Sequence, residues 1–279
     1  MKLATVVPLI QRHYRVDAFA MLFWLRAVTI ILLAPSTVVM GLPTDPFFYG
    51  AIIIFGIFVT YTDFLFFDFA RHHHPAISAR LLKPTVMVTF VLWFFLDPAL
   101  FHRYVDHPLR GGAILILLCA AVILAWRLKQ CTVTRGAFVR LWPVLCVTSL
   151  YPLFSKYILA DMAPGQGAMS LYVGMAVVVM GTMMIVQTVR PIAPRDILLS
   201  PHTARVGAMI AIPSILSGVA LVIAFQYASH PAYVSVVMMI VPVLLTLIGA
   251  WRGDPDHGHK GVGFALIFIA ALITLLQIR

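Results

Sequence analysis

No glutamate occurs in this chain; all 10 of its acidic residues are Asp. That absence removes the His-Glu-x-x-His zinc-protease helix and any other chemistry that specifically needs a glutamate base. Charge of either sign is scarce, at 11% of residues against 62% hydrophobic. With a mean hydropathy of +0.98, a soluble domain could not hide so much apolar surface from water. The three cysteines, Cys119, Cys131 and Cys146, stand at wide, unpatterned spacings, which indicates neither a zinc cluster nor a disulfide framework and leaves them as packing residues. The Gly-x-x-x-x-Gly-Lys-Ser/Thr phosphate cradle is also missing. The opening MKLATVVPLIQRHYR places bulky or charged residues where a signal peptidase needs small ones, so it is read as uncleaved.

What is present is hydrocarbon-compatible sequence. A helix needs roughly 20 apolar residues to cross the bilayer core. The chain offers nine such runs, at about 18–41, 48–70, 75–96, 111–127, 139–159, 168–189, 206–228, 232–251 and 261–278. The connections between them, such as GLPTDP, RHHHP and RGDPDHGHKG, are short and polar and leave no room for an extramembrane domain. The expected class is therefore all-α integral membrane, with the lipid bilayer as principal partner.

The chain also repeats itself. Phe67 to Pro84 and Phe225 to Pro242 share Phe, an aromatic, Ala and the terminal Pro without a gap. The match continues through Trp93 and Trp251, then Asp97-Pro98 and Asp254-Pro255, and resumes at Arg110-Gly111 and Lys260-Gly261. It relates the second, third and fourth runs to the seventh, eighth and ninth, and AMLFWLRAV in the first run resembles AMSLYVGMAV in the sixth. Corresponding runs are five spans apart, an odd number, so the two copies are expected to cross the membrane in opposite directions. The halves are residues 1–130, a helix stub plus four spans, and 131–279, five spans. The partner of the fifth run would precede residue 18, where the stub ATVVPLI stands, so the first helix is expected to be largely missing.

The net charge of +10 is not read as a nucleic-acid surface, because no soluble basic domain is available to present one. It reports orientation instead. Lys2, Arg12, Arg15, Arg71, Arg127, Lys129, Arg135, Arg190, Arg195, Arg205, Arg252 and Lys260 fall on one side of the nine-span topology, and little beyond Arg103, Arg110 and Arg279 falls on the other. By the positive-inside rule the first side is cytoplasmic, which suits a multi-pass protein of the inner (cytoplasmic) cell membrane.

Two segments carry a family resemblance. PAYVSVVMMIVPVLLTLIGAW, a polar turn and KGVGFALIFIAALITLL are similar to the penultimate and last helices of the drug/metabolite transporter (DMT) superfamily, EamA type, and Arg26 in FWLRAVTIILL sits where that family often carries an Arg. The family's usual Gly-Glu-Arg turn is replaced by Arg252-Gly253-Asp254-Pro255. The resemblance spans nearly the whole chain and implies an inverted-repeat 10-helix-type DMT bundle. It also implies transport by alternating access around a central cavity, with export as the commoner direction.

Charges within apolar helices need a reason, since each costs about 2.5–3.5 kcal/mol near the bilayer centre. Arg26, Asp63 and Lys83, on three consecutive runs, all lie roughly 10–12 Å from the cytoplasmic end, and Arg80 is one turn shallower than Lys83. A salt-bridged layer of this kind could line a cavity, and its cationic excess suits a substrate with a carboxylate or another anionic group. Snorkelling of the three cations, with Asp63 as a fixed counter-ion, remains the alternative. If protons drive transport, Asp63 is the group placed to titrate. In the second copy Leu221 and Val241 replace Asp63 and Lys83, so function is asymmetric. Tyr61, Tyr151 and Tyr172 offer rings and hydroxyls to a ligand, or serve packing. Pro84 and Pro242 are repeat-related and are candidate hinges. Gly174 and Gly181 are expected to allow close helix approach. His72 to His74 and Asp254, Asp256, His257 and His259 match no closed metal site, so no metal or other cofactor is assigned.

The leading expectation is a secondary transporter of small organic metabolites, amino-acid-like or anionic, not an enzyme. Proton coupling and a homo-oligomeric state are both compatible with it. The competing classes are a membrane-embedded lipid-modifying enzyme and a non-transporting or lipid-flipping subunit.

Overall fold

The computed structural model describes residues 10, 14, 16–72, 85–127, 135–238, 240, 243–244 and 260–276. The described residues are helical with short links and contain no strand. In chain order the helices are α1 (Ala18–Met40), α2 (Pro46–His72), α3 (Thr85–Leu96), α4 (Pro98–Asp106), α5 (Pro108–Arg127) and α6 (Arg135–Ile158). They continue with α7 (Pro164–Val189), α8 (Arg195–Leu198), α9 (Pro201–Tyr227), α10 (Pro231–Met238) and α11 (Lys260–Leu275).

Four of these, α1, α2, α7 and α9, are long and apolar enough to cross a membrane, and α3 with α4 makes a fifth if the bent pair counts as one span. Their outer surfaces agree with a lipid solvent: Val39 is 87% exposed and Phe95 78%, which water would penalise and hydrocarbon would not. Three buried threonines satisfy their hydroxyls locally. Thr29, Thr37 and Thr60 are buried, and each donates its hydroxyl to the carbonyl four residues earlier, Leu25, Leu33 and Gly56 respectively, as a helix in lipid requires. The chain is a multi-pass membrane protein.

Contacts divide it into two compact units, Val6–Pro75 with Tyr157–Ile223 and Met1–Thr5 with Ala76–Lys156 and Ala224–Arg279. These units cut across the halves 1–130 and 131–279, since each takes helices from both.

In the unit holding α1, the first helix opens on Asp17, whose Oδ1 accepts from the backbone N–H groups of Phe19 and Ala20 at 3.0 and 3.1 Å, an N-cap that occupies two otherwise unpaired donors. The helix stops at Gly41, whose φ of +87° few other residues would adopt. There the carbonyl of Gly41 accepts from Gln166 Nε2 at 3.0 Å. Because Gln166 lies in the first turn of α7 and Gly41 follows the last residue of α1, the two helices run antiparallel. The α2–α7 pair advances together instead, Ile52 meeting Gly174 and Gly56 meeting Val178, so these two run parallel. Gly56 is needed there, because a Cβ would come within 2.6 Å of Val178 Cγ1. Gly174 also serves close approach, 3.1 Å from Ile52 Cδ1 to a Cβ, whereas Gly181 faces open space, contrary to the expectation that both would.

In the other unit, α5 packs on α11 and α3 on α10 around Phe90, Trp93, Ile114, Leu118, Tyr233 and Ile273. The link 97–110, expected to be a plain connection, instead contains α4, bent by 105° from α3. Asp97 makes the corner: its carboxylate accepts from the Leu100 N–H at 3.0 Å, and Pro98, which cannot continue a helix begun upstream, takes the first position of the new one. Two turns follow, burying Leu100 and Tyr104 and exposing Phe101 and Val105.

Candidate functional site

Antiparallel α1 and α2 bring a residue one third of the way along α1 level with one two thirds along α2. Arg26 and Asp63 occupy those places, and Arg26 Nη2 donates to Asp63 Oδ2 in a direct ion pair. Their side chains are 11% and 29% exposed, so the carboxylate is the more accessible member. Tyr172 of α7 lies within electrostatic range of both. Its hydroxyl donates to the Ser214 carbonyl of α9 at 2.9 Å, and its ring fills the place a side chain at position 218 would take, with ring atoms 2.3 Å from a Cβ built on Gly218. Three neighbouring helices thus supply a cation, an anion and a phenol, and α9 holds the phenol.

The other residues singled out in the sequence are placed differently. Tyr61 shares α2 with Asp63 but is 56% exposed; two residues turn a helix by about 200°, so it points away from the pair. Tyr151 is half-buried on α6, its ring edge-on to Phe225 at 6.4 Å, and it belongs to the other unit. Arg80, Lys83, Pro84 and Pro242 lie outside the described residues.

Two polar residues that sequence reasoning passed over stand in the unit holding α3. Lys156, near the end of α6, donates to the carbonyls of Ala228 and Gln226 with its ammonium 5.5 Å from the centre of the Trp93 ring. It neutralises the carbonyl end of α9, where a cation is favoured. His230, in the link between α9 and α10, is fully buried. Its Nδ1 accepts from the Ala232 N–H at 3.1 Å and so carries no proton, which leaves Nε2 to donate to the Phe90 carbonyl at 3.2 Å. Burial holds this imidazole neutral, its pKa pushed down to about 3, while the Phe90 carbonyl opposes the shift and Lys156 adds to it. The signal for His230 was in the repeat, where it aligns with His72.

Comparison with known proteins bears on the fold alone. No family model matches the chain, and no curated protein does. A solved structure described only as "Crystal structure of protein" is similar over 99% of this chain and 96% of its own, with a TM-score of 0.68 at 14% identity. The likeness shows that this helical architecture recurs at nearly full length in another chain. It carries no activity with it.

Proposed function

We propose that this protein is a secondary transporter of the drug/metabolite transporter superfamily, EamA-like, exporting small organic metabolites with an anionic or amino-acid-like group across the inner membrane. The observation that carries the reading is the Arg26–Asp63 pair between two membrane spans with Tyr172 beside it. A buried ion pair gains little stability over apolar side chains of the same size, so a chain this poor in charge has a functional reason to keep one. Arg26 is the group to which a substrate carboxylate binds. When it does so, Asp63 loses its counter-ion in an apolar setting and takes up a proton; the proton leaves with the substrate, so an anionic metabolite is carried outward down its own concentration gradient without net movement of charge.

Alternating access of two inverted halves in a nine-span bundle is supported by the way matched segments meet. α1 and α7, the first and sixth runs, pack together and run antiparallel. α3 packs on α10 and α5 on α11, which are the third run with the eighth and the fourth with the ninth.

The test is efflux of radiolabelled amino acids from proteoliposomes containing the purified chain. Efflux by the wild type is expected to fall about tenfold or more in Asp63→Asn and in Arg26→Gln, the loss that 1.4 kcal/mol of substrate binding would give. Absence of wild-type efflux for every carboxylate-bearing compound tried would sink the reading, and unchanged efflux in both variants would remove this site from it.

A further inference from the structure

α4 is set across the direction of the helix before it. Its 9 residues follow a bend of 105° from α3. With α3 taken along the bilayer normal, α4 changes depth by only about 3–4 Å over a length of about 13 Å. Its two ends therefore lie at nearly one level.

Ring contacts fix which side of α4 is turned toward the bilayer interior. Phe101 meets Phe94 of α3 edge-on at 5.5 Å, and Tyr104 meets Phe94 at 5.1 Å and Phe90 at 5.9 Å. Phe94 and Phe90 stand one and two turns before the Asp97 corner, so Phe101 and Tyr104 point back along α3. A hydrogen bond between the hydroxyls of Tyr104 and Tyr233 of α10 holds α4 in that rotation.

At about 100° per residue, α4 divides into three arcs. Leu100 and Tyr104 are buried in the protein, and Phe101 and Val105 form the neighbouring strip, apolar and exposed. His102, Arg103 and Asp106 fill the remaining arc, and all three are exposed. Water would penalise the apolar strip. Hydrocarbon would penalise Arg103 and Asp106, by about 2.5–3.5 kcal/mol each near the bilayer centre. Only a boundary between the two suits both arcs, and the lipid-facing side chain nearest the corner, Phe95 of α3, is itself exposed.

We propose that α4 is an in-plane helix whose partner is the phospholipid surface of one leaflet, with Phe101 and Val105 among the upper acyl carbons and His102, Arg103 and Asp106 among the headgroups. Amphipathic helices with bulky apolar residues rest about 5–10 Å into this boundary. The Asp97–Pro98 corner is then the point at which the chain leaves the hydrocarbon. A solvated link would leave Phe101 and Val105 in water, and a re-entrant one would carry Arg103 and Asp106 into oil.

The experiment uses the full chain in phospholipid liposomes, with Cys119→Ala, Cys131→Ala and Cys146→Ala removing the native thiols and a single nitroxide label on Val105→Cys, His102→Cys or Asp106→Cys. Collisions of each label with oxygen, which concentrates in hydrocarbon, are compared with collisions with a water-soluble nickel chelate. Oxygen is expected to exceed nickel at position 105, and nickel to exceed oxygen at positions 102 and 106. Nickel in excess at all three would overturn the proposal in favour of a solvated link, and oxygen in excess at all three in favour of a re-entrant one. Protection of position 105 from both would show that protein, such as a second copy of the chain, covers the strip instead. A second measurement keeps the native cysteines. Liposomes carry a phospholipid with a photoreactive diazirine either beside the ester carbonyl of one acyl chain or at its far end, and adducts are mapped after illumination. Residues 98–106 are expected to be labelled by the first probe and much more weakly by the second; equal labelling by both, or labelling by neither, would overturn the proposal. None of these outcomes depends on transport, so the test is separate from that of the ion pair.

Discussion

Arg26 of α1 donates to the carboxylate of Asp63 on α2 within two predominantly apolar helices. Each charge is tolerated because the other is there. Removal of either alone leaves the survivor in a medium that solvates it poorly.

That relationship predicts a non-additive mutant cycle. Asp63→Asn and Arg26→Met are each expected to lower the stability of the detergent-solubilised protein by about 2 kcal/mol, below the roughly 3–5 kcal/mol of fully buried pairs because Asp63 keeps 29% exposure. The double variant should recover a coupling energy of about 1–2 kcal/mol. Thermal unfolding of the four proteins measures it, and strict additivity would show that the pair is not held as described.

Gly218 gives a steric prediction. A Cβ at this position would lie 2.3 Å from the Tyr172 ring and hydroxyl, so Gly218→Ala has to move Tyr172 and break its hydrogen bond to Ser214. The cost expected is about 1–3 kcal/mol. In a Tyr172→Ala background the same substitution should cost almost nothing, and an equal loss of melting temperature in both backgrounds would contradict the packing.

His230 sets a pH dependence. Its folded pKa, pushed down to about 3, lies below the ordinary histidine value of 6.5, so between these the unfolded chain binds the proton and the folded chain does not. Its contribution to stability is complete above about pH 6.5 and falls as pH drops, by up to about 1.4 kcal/mol per pH unit. The stability lost between pH 7 and pH 5 should therefore be larger in the wild type than in His230→Asn. Parallel pH profiles would mean that the imidazole titrates normally.

Lys156 is expected to hold the end of α9. Lys156→Met removes the donor to Ala228 and Gln226 while keeping an unbranched apolar side chain of similar length. Amide exchange in residues 224–230 should then rise by about fivefold, corresponding to roughly 1 kcal/mol for the lost cap and charge. Unchanged exchange would show that the carbonyl end is satisfied without it.

Membrane helices reveal themselves in sequence because lipid demands a long apolar stretch with its backbone bonds closed internally, and α1, α2, α7 and α9 fall on runs recognisable from composition. That Arg26 and Asp63 lie level with each other was also readable, since helix rise is constant and consecutive spans run in opposite directions. α4 was not readable: PALFHRYVD is too short and too polar for a span, and its helical form depends on the Asp97 cap and the burial of Leu100 and Tyr104. Nor could spacing separate Tyr172, which reaches the pair, from Tyr61, which turns away, because that depends on rotation about the helix axis. Lys156 and His230 escaped notice for a related reason, their partners lying 70 to 140 positions away in the chain.

The amino-acid sequence by itself determined the solvent this protein lives in, the course of its apolar helices and the scarcity of charge within them, because transfer of side chains into hydrocarbon depends on composition along a single helix. Which charges meet and which phenol stands beside them were decided only by tertiary structure. Those outcomes depend on how helices far apart in the chain are rotated and stacked, and close packing between side chains sets that.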